Sequence, residues 1–304
     1  MSRDNLYEKF IECNWWIDVD KRRANSWIQN FGQDKDIGKL ILDNIFFYNN
    51  EQLNSYTKNI INQIKGEIFQ KHQLKNCKLF KDDPYYFDQW NIYKQNLKVI
   101  PATIPSDASG SAYQVMPRYR SILGSDVVSD IYSIEEAIDN QIKELIFVDD
   151  FSGSGNQLKK FIEKEINVHG KLIKICDLPN EFTDLTVTIA VYVIHIKALK
   201  LLNDKFPKIK IRYIDLIDEK FDLLNDKCIF YNKLTEEKRA HIIEFIINTR
   251  ENIISKDEKY KKLMQYQLNI PIVFSHGCPN NALMLLYAKT NNWRQIFKLG
   301  DDEI

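Results

Sequence analysis

"LIFVDDFSGSGNQLKKFI", residues 145–162, decides how the chain reads. Leu145 to Val148 form an apolar run of buried-strand character, and Asp149 and Asp150 close it. Ser152, Gly153, Ser154 and Gly155 follow as a small polar turn, with glycine supplying unusual φ where the backbone curls. The sequence then becomes amphipathic. Leu158, Phe161, Ile162 and Ile166 share one face, which predicts a helix over 156–166, with Gly170 as the breaker after it.

Two adjacent carboxylates after a strand and before a helix read as a candidate chemical site. In parallel α/β sheets, ligands bind outside the carboxyl ends of the strands. The first amides of a helix lack internal acceptors and carry the positive end of its dipole. Backbone donors from Gly153 to Gln157, Asn156 included, with Ser152 and Ser154 beside them, would therefore cradle a phosphate. Asp149 and Asp150 would grip sugar hydroxyls or a hydrated Mg2+. Together these groups ask for a ribose 5-phosphate. A GxxxxGK[ST] loop is excluded, because Asn156 and Gln157 stand where lysine is needed. A dinucleotide GxGxxG is also missing. The plain alternative is a strand end capped by Asp150 and an ordinary turn.

The flanking sequence predicts a parallel sheet. "LKVIPATI" reads as a strand and "AYQVMPRYRSIL" as a helix, and Ser133-x-x-Glu136 is a capping box opening "IEEAIDNQI". "TVTIAVYVI" is a strand buried on both faces, followed by the helix "HIKALKLLNDKF" and the strand "KIKIRYIDLI". "LTEEKRAHIIEFIINTRENIIS" is a helix with Thr235 near its N-cap. Upstream, Leu53, Tyr56, Ile60, Ile64 and Ile68 form a helical stripe. Trp15, Trp16, Trp27 and Phe31 are expected to hold the earlier helices together. Expected divisions are an N-terminal helical region over 1–76, an irregular aromatic connector over 77–96, and an α/β domain over 97–304 ending in a helical hood.

Composition narrows the function classes. The chain has 304 residues, 44% hydrophobic and 12% aromatic, with formal net charge zero. It suits a packed core, and its overall charge points to neither a nucleic-acid nor a membrane-surface protein. Five scattered cysteines without a CxxC pair argue against a disulfide framework or structural zinc. The N-terminus lacks an apolar signal region, and no apolar run is long enough for a membrane span. The expectation is a cytoplasmic protein.

The run 145–157 resembles the phosphoribosyl-pyrophosphate signature of type I phosphoribosyltransferases: four apolar residues, two acids, two apolar residues and a hydroxyl-rich glycine loop. Ser152 departs from it where an apolar residue is usual, and Gly153 and Gln157 depart where hydroxyls are usual, which removes those two side-chain donors and leaves the backbone cradle. With "RANSWIQNF" and "HGCPNNALMLLYAKTNNWRQIF", the chain resembles the phosphoribosyltransferase-like effectors of bacterial conflict and anti-phage systems, as found with some retrons. That resemblance implies an α/β fold with a parallel sheet flanked by helices. It also implies phosphoribosyl pyrophosphate as ligand with Mg2+, glycosyl transfer or nucleotide modification, and a partner such as a retron reverse transcriptase complex. It further implies a second loop contacting pyrophosphate. Ser109, Gly110 and Ser111 would supply it, with Arg118 or Arg120 neutralising charge.

In "SHGCPNN", His276 would act on a departing group, and Asn280 and Asn281 would bond a base edge, unless Asn281 only caps the next helix. His195 reads as structural, and Cys278 lacks a partner base. Two other readings stand beside the transferase. One is a non-catalytic nucleotide sensor of the same fold. The other is a nucleic-acid or protein scaffold carried by the helical region, with Lys21, Arg22 and Arg23 as its basic cluster.

Overall fold

A computed structural model describes residues 5–73, 84–103, 110–129, 134–263 and 268–300. Ser109 and Ser133 lie outside these residues, and so does the expected capping box. In chain order the strands are β1 (Phe46–Tyr48), β2 (Leu97–Pro101), β3 (Glu144–Ser152), β4 (Glu165–Val168), β5 (Lys171–Lys174), β6 (Thr186–His195), β7 (Lys210–Ile217) and β8 (Ile272–Phe274). The chain forms two compact units, one of residues 53–216 and one combining 1–52 with 217–304.

The first of these is the sheet unit. Its strands run in the order β2-β3-β6-β7. β3 lies parallel to both β2 and β6, with Lys98 opposite Leu145 and Leu145 opposite Val187. All of β3 is buried, and so is all of β6 except Thr186, which is why both strands read as continuous apolar runs instead of alternating ones. On one face Phe147, Val187, Ile189 and Val191 pack with Leu158, Phe161, Ala198 and Leu202. Those partners come from the helices Asn156–Ile162 and Ile196–Lys205. Phe147 and Phe161 meet edge to face at 5.0 Å. The other face carries Ile146, Val148, Ala190 and Tyr192, and Tyr192 reaches Thr57 of the helix Asn50–Gln73. The fold is therefore mixed α/β, a parallel sheet flanked by helices, as expected.

Two local expectations change in this unit. The helix after the acid pair ends at Ile162, and β4 and β5 form an antiparallel hairpin with Ile166 opposite Ile173. Gly170 is that hairpin's turn and not a helix breaker. His169 at φ 53° and Gly170 at φ 79° supply the two positive values of a two-residue turn that follows the strand twist. The aromatic stretch read as irregular contains the helix Pro84–Lys94, where the Lys65 ammonium lies 4.2 Å from the Trp90 ring centre. In the apolar stripe, Leu53, Ile60 and Ile64 are buried.

The other unit is mainly helical, including Lys21–Ile28, Lys35–Asp43 and Glu236–Ile254, with β1 and β8 paired in parallel, Phe46 opposite Ile272. β1 interrupts the otherwise helical N-terminal region. Trp16, Trp27 and Phe31 are core residues as expected, whereas Trp15 is 39% exposed. The indoles of Trp27 and Trp293 donate to the same carbonyl, Leu285 O, at 2.8 and 2.9 Å. Thr235 caps Glu236–Ile254 by accepting from the Lys238 amide.

Candidate functional site

β3 carries Asp149 and Asp150 to its carboxyl end, where each is only 2% exposed. Asp149 Oδ1 accepts from the Ser111 hydroxyl at 3.0 Å and from the Asp150 amide at 2.9 Å. Burial, followed by the neighbouring Asp150 carboxylate, holds Asp149 well above the usual carboxylate range, while the Ser111 and backbone donors pull the other way. Two carboxylates buried side by side repel each other and resist ionisation together. A proton, a cation or a set of ligand hydroxyls relieves that cost.

Alternation along the parallel strands puts Asp150 on the face of Tyr192. The Tyr192 hydroxyl lies 2.6 Å from Thr57 Oγ1, and Thr57 donates its own proton to Leu53 O at 2.9 Å. Tyr192 is therefore the donor of that pair. Burial pushes its phenol up to about 12, and the Arg118 guanidinium and Asp150 carboxylate act on it in opposite senses. The Tyr119 hydroxyl is buried beside this group and has no hydrogen-bond partner among the described residues. Sequence reasoning missed these tyrosines and Thr57. The signal was present, because a tyrosine in "TVTIAVYVI" and a threonine beside an apolar helix stripe each require a polar partner.

The predicted phosphate residues gather after β3. Ser152 is the last residue of the strand and is buried. Gly153 and Gly155 are buried, Ser154 is half-buried, and Asn156 and Gln157 are exposed. Gly155 is the left-handed N-cap of Asn156–Ile162, with φ 76°. A Cβ there would stand 3.0 Å from Ala198 Cα, so both space and backbone demand glycine. The Asn156 amide meets Ser154 Oγ at 3.3 Å. In the second loop, Gly110 is the N-cap of the helix Ser111–Leu123. Ser111 donates to Asp149, which joins that loop to the acid pair. Arg118 bonds Gln114 O and influences Tyr192, while Arg120 points to solvent.

His276, Asn280 and Asn281 belong to the other unit. His276 stacks on Phe274, which stacks on Tyr48. Asn280 O accepts from Tyr287. Asn281 is not a helix cap, since the four-residue helix Met284–Tyr287 begins after Leu283 without a side-chain cap. Cys278 is buried, and burial alone pushes its thiol up, against a nucleophile. His195 caps Ile196–Lys205 by accepting from the Lys197 amide at 3.2 Å, a structural role. In the basic cluster, Lys21 pairs with Glu12 and Arg23 bonds Asp18 O.

A family model described as PRTase-CE matches residues 24–299, nearly the whole chain, and the protein belongs to that family. It is a phosphoribosyltransferase-like protein. No curated protein matches it. Among the described residues, no helix is long and apolar enough to cross a membrane.

Proposed function

We propose that this phosphoribosyltransferase-like protein binds phosphoribosyl pyrophosphate, or a related ribose 5-phosphate, at the Asp149–Asp150 end of β3. The observation that carries the reading is the buried acid pair, set at the carboxyl end of a parallel strand and followed by the Gly155 turn. Ribose hydroxyls satisfy carboxylates without adding charge, and the backbone from Gly153 to Gln157 offers donors to the 5-phosphate. Gly110 and Ser111, with Arg118, would face the diphosphate. In glycosyl transfer the bond at ribose C1 breaks through an oxocarbenium-like state. The chain's task is then to hold sugar and phosphates in line and to balance the departing charge.

Mg2+ fits this donor set in one way. Among the described residues no group of three or more His, Cys, Asp or Glu is placed to hold a metal. Mg2+ needs only one or two carboxylates when waters and ligand phosphates complete its shell. Asp149 and Asp150 would hold that shell, and the ion would offset diphosphate charge.

A second reading is a sensor that binds without turnover. Gly153 and Gln157 stand where hydroxyl donors are usual in the resembled motif, and the Ser111 hydroxyl is committed to Asp149. Mass spectrometry of phosphoribosyl pyrophosphate and nucleotides, incubated with protein and Mg2+, separates the two. Transfer predicts a new glycosylated product that Asp149→Asn/Asp150→Asn abolishes. Turnover surviving that change would sink the assignment, whereas tight binding without product leaves the sensor. We further propose an anti-phage effector role with a retron reverse transcriptase complex as partner. Phage plating on cells with and without the intact acid pair checks it, and equal plating removes it.

A further inference from the structure

A polar residue interrupts the buried face of the helix Asn50–Gln73. Leu53, Thr57, Ile60 and Ile64 follow at helical spacing and all are buried, Thr57 fully so. The Thr57 hydroxyl donates to Leu53 O at 2.9 Å, and its oxygen accepts from the Tyr192 hydroxyl at 2.6 Å. Tyr192 is fully buried as well. Packing alone requires neither hydroxyl, since valine and phenylalanine have nearly the same shapes and bring no polar atom to bury.

Tyr192 connects Thr57 to the acid pair. Asp149 lies opposite Val191 and Phe151 opposite Val193, so Asp150 and Tyr192 are lateral neighbours on one face of the sheet. Their strands are about 4.8 Å apart. The Tyr192 ring is held in place: Tyr56 meets it edge-on at 6.2 Å and is tied through its own hydroxyl to Asp215. What can still turn is the phenolic O–H about its C–O bond. Burial pushes this phenol up to about 12, so at neutral pH it remains a donor, and the Asp150 carboxylate lies within its electrostatic reach. Its proton is nevertheless given to Thr57. A buried hydroxyl deprived of its acceptor turns to the next one, directly or through a water, and here that acceptor is Asp150.

We infer that Thr57 is a positioning residue for the ribose-phosphate site, acting through Tyr192. It holds the phenolic proton away from Asp150, so that this donor does not compete with sugar hydroxyls for the carboxylate. The inference rests on the acid-pair reading and gives the Asn50–Gln73 helix a part in ligand binding. Leu53, Thr57, Asp150, Tyr192 and Asp215 all lie in the sheet unit.

The test is a double-mutant cycle, read by calorimetric titration of the full chain with phosphoribosyl pyrophosphate and Mg2+. Thr57→Val removes the acceptor at nearly constant shape and is expected to weaken binding about tenfold, as one misdirected hydrogen bond to a charged group would. Thr57→Ser keeps the acceptor and restores wild-type affinity. In a Tyr192→Phe background no phenolic proton is left to turn, so there Thr57→Val changes affinity no further. A merely structural role predicts the same loss in both backgrounds. Urea unfolding checks that each variant is folded, and Thr57→Ala, which removes the same acceptor, serves if the valine variant is not. Equal affinity of wild type and Thr57→Val, or an equal loss in both backgrounds, overturns the inference and leaves the acid-pair reading standing. Absence of binding by wild type overturns that reading, and this inference with it.

Discussion

The Ser111 hydroxyl donates to Asp149 Oδ1 across 38 residues of sequence, on the same oxygen that accepts the Asp150 amide. One carboxylate oxygen thus joins the start of the Ser111–Leu123 helix to the end of β3. A ligand entering beside Asp149 must either use its other oxygen or compete with Ser111. Ser111→Ala removes a donor that favours the ionised form, so it raises the Asp149 pKa further. It is expected to cost about 0.5–1.5 kcal/mol of stability at neutral pH, read from urea unfolding. No change in the midpoint would show that this hydrogen bond is not maintained in solution.

The acid pair makes stability depend on pH. The folded-state pKa of Asp149 lies above its unfolded value, so its contribution to stability is fully present below the unfolded pKa. It is lost as pH rises through the folded one. Asp149→Asn removes this cost and is expected to melt higher than wild type at pH 8, on the order of 1–3 kcal/mol in stability. The difference shrinks on going to pH 5. Parallel melting curves at both pH values would contradict the strain assigned to the pair.

Gly155→Ala places a side chain at φ 76° and against Ala198. The expected loss is about 1–3 kcal/mol, accompanied by weaker ligand binding, because the turn sets where the first helical amides lie. Wild-type stability in this variant would mean that the turn takes another conformation.

Glu144 provides the control at the opposite end of β3. It is buried and accepts from the Thr188 hydroxyl at 2.9 Å and the Tyr93 hydroxyl at 3.1 Å. Glu144→Ala orphans both donors and is expected to destabilise by about 1–3 kcal/mol while leaving ligand affinity unchanged. Reduced affinity in a chain that remains folded would show that the site is not confined to the carboxyl end of the strand.

The central sheet was legible because β3 and β6 are buried on both faces, and such strands leave uninterrupted apolar runs. The hairpin was not. Ile166 sits four residues after Ile162, so it completes a helical stripe as well as it pairs with Ile173. Only the His169–Gly170 turn distinguishes the two. The acid pair could be read from its local motif, while the use of Ser111 could not, since nothing in a local pattern reports a contact across 38 residues. Tyr192 and Thr57 were legible only as polar residues in apolar surroundings, and their pairing depends on the packing of helix on sheet.

The direct measurement is calorimetric titration of phosphoribosyl pyrophosphate with Mg2+ into wild type and Asp149→Asn/Asp150→Asn. Unfolding of both in urea confirms that each is folded. Saturable binding by wild type, weakened about 100-fold or more in the double variant, is the predicted result, equivalent to roughly 2.7 kcal/mol. No binding by wild type, or equal binding by both proteins, would contradict the assignment of the acid pair as a ribose-phosphate site.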